Sequence, residues 1–171
     1  MLLEDDDDVA RRMGGRIVPL ERALFTDVEL SPLLRMMIFE FMIGNTDYSI
    51  FALHNVVMVQ MPDRKLIPAP YDFDLSALVR PPYAVPDKRL NMTSITDRLY
   101  RGPCRSREEL DAAFADFHAK RDQIFAAVES TGLAPAPKNE VSSYLKDFFS
   151  TIERPASVKR FFIDTCNKTA M

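Results

Sequence analysis

The chain has 171 residues, 47% of them hydrophobic and 27% charged, with a net charge of −3 and a pI near 5.4. That length suits one core of ordinary size, and the charge balance excludes the broad basic field that gathers nucleic acid or acidic lipid. No apolar run approaches the ~18 residues that cross a bilayer. The N-terminus is acidic where an export signal is basic, so a cytoplasmic location is expected. Cys104 and Cys166 lack C-x-x-C spacing and a nearby His, so zinc is not expected and free thiols are the default reading.

In chain order, Asp5–Asp8 read as a helix start, because carboxylates suit the positive end of the helix dipole; the helix should run through VARRM to Gly14–Gly15. RIVPLERALFTDVEL is mixed and loop-like. Ser31 then looks like an N-cap with Pro32 at the first helical position, opening the apolar helix LLRMMIFEFMI, which should be buried and stop at Gly44–Asn45. Residues 55–60 and 65–69 read as two strands joined by a turn at Met61–Arg64, with Pro68 and Pro70 placing the second strand at an edge.

Segment 77–106 is rich in Pro, Arg and Tyr, and suggests an ordered loop with one short helix near TSITDRLYR. Arg98, Arg101 and Arg105 are read there as solvated or salt-bridged. Arg107–Ser130 has the spacing of one long helix, opened by a capping box of Ser106 and Glu109. TGLAPAPK is a linker. Two amphipathic helices follow, one carrying Val141, Tyr144, Leu145, Phe148, Phe149 and Ile152, the other Val158, Phe161, Phe162 and Ile163. The expected fold class is α+β, mostly α, in a single unit with a small β-hairpin.

The polar constellation lies around that hairpin. GNTDYSIFALHNVVMV (44–59) and PAPYDFDLS (68–76) set Asp47, His54, Asn55, Asp72 and Asp74 beside apolar runs, where a lone carboxylate is costly to bury unless paired or metal-bound. If the two strands pair, Asn55 at the start of one and Asp72 past the end of the other meet at one edge, with Asp47 on the loop feeding in. One carboxylate to align a nucleophile, plus an amide oxygen and a second carboxylate for magnesium, is a minimal set for phosphoryl transfer. In isolation Asp47 also suits a turn, Asn55 and His54 suit structural roles, and Asp74 suits an N-cap better than a second metal ligand.

These two stretches resemble the catalytic and metal-binding loops of atypical kinases of the CotH and HipA type, distant relatives of the protein-kinase fold. The shared pattern is an Asp on a short loop, an Asn beginning a strand, a hairpin, and a (Y/W)D dipeptide. The resemblance implies a kinase-like C-lobe over 1–171, with its catalytic core in 31–80 and C-terminal helices in 107–171. It implies Asp47 as catalytic base, Asn55 and Asp72 as magnesium ligands, and ATP as phosphate donor to a protein or small-molecule hydroxyl, with AMP transfer as a variant. LLED resembles the hinge between lobes, putting Glu4 near the adenine together with Asn55 as nucleotide-binding residues. YAVP and RLYRGPCR resemble bacterial members of the group.

The sequence departs from that pattern in holding no Gly-rich loop; its five glycines are Gly14, Gly15, Gly44, Gly102 and Gly132. With LLED as hinge, the N-lobe is absent, so weak or no activity is expected of this chain by itself. An exposed apolar hinge side would favour self-association. The alternative is a non-catalytic interaction scaffold, and metal-dependent phosphoester hydrolysis, which usually uses two metals, is the weakest reading.

Overall fold

A computed structural model describes residues 4–168. Helix α1 (Asp6–Met13) forms as its acidic start predicts: the Asp5 side chain accepts the N–H of Asp7, Asp6–Asp8 fill the first turn, and Gly14 closes the helix at φ 77°. Leu2 and Leu3 of the hinge-like LLED lie outside the described residues.

After Gly15 the chain makes a strand that the mixed sequence did not predict. Strand β1 (Arg16–Ile17) pairs antiparallel with Gln60 and Val59 of β2 (Val56–Gln60), which pairs antiparallel with β3 (Leu66–Pro70). The order β1-β2-β3 leaves β3 at an edge, where Pro68 and Pro70 cost little for want of an N–H. A two-residue strand has no periodicity to read; its partner defines it.

Helix α2 (Leu30–Ile43) lies against β3 and buries Leu33, Met37, Ile38 and Phe41. Its cap is Glu29, two residues before the expected Ser31, so Ser31 and Pro32 sit inside the first turn, where a missing N–H is still harmless. Gly44 ends it at φ 67°, and a Cβ there would strike Tyr144 and Ala77, so this position requires glycine twice over.

The capping box of Ser106 and Glu109 opens α3 (Arg107–Ala119), but the expected long helix breaks at Lys120 and resumes as α4 (Arg121–Glu129). No Pro or Gly causes the break. On one straight helix Phe117 and Phe125 would point about 80° apart. The bend lets Phe117 reach Phe148 and Phe125 reach Phe149 on α5 (Pro135–Glu153), at ring distances of 5.6 and 5.8 Å. Tertiary packing overrides local spacing here. Helix α5 starts within the expected linker, using Pro135 at its first position.

Helix α6 (Pro155–Val158) widens into a π-turn over Lys159–Ile163. That turn seats the fully buried Phe162 against Phe41, Tyr100 and Phe114, at 4.6, 5.0 and 5.0 Å. One buried cluster thus runs from Ala23 to Cys166 and touches every long helix. No short helix forms near TSITDRLYR; the Asp97 carboxylate accepts the N–H groups of Thr93 and Ser94 and holds the segment as a turn.

The free-thiol expectation is corrected. Cys104 and Cys166 form a disulfide that closes a separation of 62 residues, with Asn167 N–H donating to Gly102 O beside it. No described helix is long and apolar enough to cross a membrane.

Candidate functional site

The site is built from the loop after α2 and the two open ends of the β2–β3 ladder. Between Gly44 and β2 the chain folds back on itself, with Ser49 and His54 exchanging backbone bonds at 2.9 and 3.0 Å. That return sets His54 Nε2 3.2 Å from Asp47 Oδ1 and lets Asn55 Nδ2 donate to Asp47 O at 2.7 Å and Oδ2 at 3.2 Å. Both carboxylate oxygens of Asp47 are therefore oriented by neighbours. The N–H of Asp47 donates to Asn45 Oδ1 at 3.0 Å, fixing the backbone beneath them.

Asp72 joins through the ladder. Val56 pairs with Pro70, and one step beyond, Tyr71 N–H donates to Asn55 O at 3.0 Å, so Asp72 follows directly beside Asn55. Asn55 and Asp72 both adopt left-handed backbone, at φ 54° and 56°. Such conformations are sparsely populated for residues other than glycine and cluster at functional sites, and Asn and Asp tolerate them best. Phe73 anchors the turn from behind, edge-on to Phe39 of α2 at 5.5 Å.

The structure therefore brings Asp47, His54, Asn55, Asp72 and Asp74 onto one cavity of about 590 Å³, which Lys88 and Arg89 also line. Asp72 and Asp74 also line a neighbouring cavity of about 820 Å³, together with Glu4, Arg12, Val57 and Tyr71. Asp72 stands between the two spaces. Glu4 is on the second one, where its carboxylate takes two bonds from Arg12, at 3.2 and 2.7 Å, and is held below the ordinary range by that guanidinium. Asp74 does not cap a helix; it accepts the Tyr83 hydroxyl at 2.8 Å, and Tyr83 lines the same cavity.

Asp72 Oδ1 is buried and has no hydrogen-bond partner among the described residues. An orphaned carboxylate oxygen is costly, and a cation is one of the few groups that can satisfy it. Asn55 commits its amide nitrogen to Asp47, which leaves its oxygen, the hard ligand atom, outside that bond. No group of three or more His, Cys, Asp or Glu side chains is placed to hold a metal among the described residues. The donor set is one carboxylate and one amide, which suits magnesium, an ion that keeps waters and substrate phosphates for its other positions.

Several participants escaped the sequence reading. Tyr83 and Asn45 lie in stretches read only as loop and helix stop. Arg98 and Arg101 are half-buried clamps and not solvated loop residues: Arg98 stacks 3.5 Å over the Tyr144 ring and donates to Tyr144 O, and Arg101 donates to Thr46 O at 2.6 Å. Their targets are 46 and 55 residues away, beyond any local signal. The large exposed apolar side chains include Leu24, Phe51, Val79, Tyr83 and Val85. No family model, curated protein or solved structure matches this chain.

Proposed function

We propose that this chain is a kinase-like domain of C-lobe type, serving phosphoryl transfer from Mg-ATP to a hydroxyl. The observation that carries the reading is the buried Asp72 Oδ1, without a partner among the described residues, beside Asn55 and between a cavity lined by Asp47 and a second cavity lined by Glu4 and Val57. In this reading the larger cavity takes the nucleotide and the other takes the acceptor.

Asn55 and Asp72 would hold magnesium, which when bound neutralises charge on the phosphates. Asp47, with both oxygens oriented, accepts the proton of the acceptor hydroxyl. His54 and Asn55 hold that carboxylate in line, which matters because phosphoryl transfer relies on alignment and electrostatics. Val57 offers an apolar floor for a purine, and Glu4, with Arg12, sits at its outer rim. The resemblance to CotH- and HipA-type kinases implies the roles given to Asp47, Asn55, Asp72 and Glu4, and it implies a covering lobe that would strengthen nucleotide binding.

A hundredfold excess of nucleotide over Kd adds about 2.7 kcal/mol, which for a chain of this size is roughly 5–10 °C of melting temperature. Mg-ATP should raise the melting point of the parent chain by up to that amount. Asp72→Ala should melt normally without ligand and show no rise with it. Asp47→Asn should keep the rise while losing transfer to any hydroxyl acceptor. Equal shifts in parent and Asp72→Ala, or none in either, would overturn the assignment.

A further inference from the structure

Beneath the Asp47 loop lies a polar cluster that nucleotide and metal binding do not use. Glu40 sits on α2 between Phe39 and Phe41 and is 1% exposed. Its Oε2 accepts Asn45 Nδ2 at 3.0 Å, and its Oε1 has no partner among the described residues. Asn45 turns its other side-chain atom upward, where Oδ1 accepts the N–H of Asp47. One amide therefore links a buried carboxylate to the backbone of the candidate base.

Arg101 reaches the same loop from a different segment. Its Nη1 donates to the carbonyls of Thr46 and Tyr48, the residues on either side of Asp47, and its guanidinium lies 5.1 Å from the Tyr48 ring centroid. Arg101 is also the cation that favours ionised Glu40 against the burial that opposes it. Adding Asn55 on Asp47 O, four backbone groups over residues 46–48 are held by side chains. Between Gly44 and the Ser49–His54 bridge, residues 46–48 lie in neither helix nor strand, so apart from the buried Tyr48 ring it is these side-chain bonds that hold their backbone.

We propose that Glu40 and Arg101 are positioning residues for Asp47: Glu40 acts through Asn45, and Arg101 clamps the carbonyls that flank the base. The proposal rests on the reading of Asp47 as the acceptor base. Side chains contributing only to the core would look different, because their loss would loosen α2 and β2 as much as the loop.

Arg101→Lys keeps the charge but exchanges the planar guanidinium, whose Nη1 reaches both carbonyls, for an ammonium on a flexible stem, and Glu40→Gln keeps shape and an acceptor but loses the charge. Native-state hydrogen exchange should show Asp47, Ser49 and His54 amides losing about tenfold protection in Arg101→Lys, the equivalent of one charge-assisted bond. Amides of Met58 and Leu34 should stay within twofold. Glu40→Gln should loosen Asp47 in the same pattern by a smaller factor. In transfer assays kcat should fall with the KM for ATP unchanged, and Arg101→Lys should recover part of what Arg101→Ala loses. Unchanged loop protection, or equal loss in loop and core, would overturn the proposal. The exchange measurement needs no substrate, so selective loosening in a chain that Mg-ATP does not stabilise removes the transfer reading and leaves the clamp. Unaltered exchange in an active chain removes only the clamp.

Discussion

Opening the Cys104–Cys166 bond should lower the stability of the fold by about 4 kcal/mol. The bond closes a separation of 62 residues, and a loop of that length loses on that order of denatured-state entropy when cross-linked. The native side gives little reason for a smaller effect. Cys166 is buried in the main cluster, and the adjoining Pro103–Asn167 bridge and Asn167 N–H···Gly102 O bond already hold the two segments together. For this chain length the loss is roughly 8–16 °C in melting temperature. Denaturant unfolding of the parent with and without reductant, beside a Cys104→Ser/Cys166→Ser variant, reads it directly. Reductant should move the parent to the variant's midpoint and leave the variant unmoved. Coincident curves with and without reductant would contradict the pairing. The bond persists where thiols are oxidised and is withheld in a reducing cytosol, so this stability depends on the compartment.

Glu40→Gln should stabilise the chain at pH 8 by up to about 3 kcal/mol. Burial pushes the Glu40 carboxyl from 4.5 up to about 7, against the Asn45 bond and the Arg101 charge, which both pull it down; Tyr48 is the other titratable group facing it. The folded-state value is raised, so between pH 4.5 and about 7 the unfolded chain has released a proton that the folded chain keeps. Stability contributed at this site is therefore full below pH 4.5, declines as pH rises through the window, and is level above it. At 1.36 kcal/mol per unit the interval amounts to about 3 kcal/mol. The variant does not carry that slope. Melting the pair across pH 4–9 should show curves that coincide at the acid end and diverge up to neutrality, whereas parallel curves would contradict the burial argument. A residue that lowers stability while anchoring the loop of the candidate base is an instance of function held at the expense of stability.

Much of this organisation was legible in the sequence because it is local. Asp5, Gly14, Gly44 and the Ser106–Glu109 box act within a turn of their own helix, and the hairpin strands fell within one residue of their expected bounds. The approach of Asn55 and Asp72 followed from the hairpin, since pairing Val56 with Pro70 sets the flanking residues side by side, while Asp47 is placed by the Ser49–His54 return and the Asn55 bonds. What escaped was set by distant partners. Strand β1 exists only against Val59 and Gln60, the break at Lys120 serves Phe148 and Phe149, and Arg101 answers to carbonyls 53 and 55 residues away. Glu40 did leave a trace, as a lone carboxylate within the apolar run MMIFEFMI. A charge in such a run is either an error of register or a buried partner.

The central claim, that Asn55 and Asp72 share a divalent cation with a nucleotide, is tested most directly by paramagnetic broadening. Manganese substitutes for magnesium at hard-oxygen sites. With ADP present, substoichiometric Mn²⁺ should broaden the amide signals of Asn55, Asp72 and Asp47 first and leave those of Glu129 and Leu133 sharp, and Asp72→Ala should abolish the effect. Broadening that is uniform along the chain, or that centres on the Asp5–Asp8 run and spares Asn55, would contradict the account.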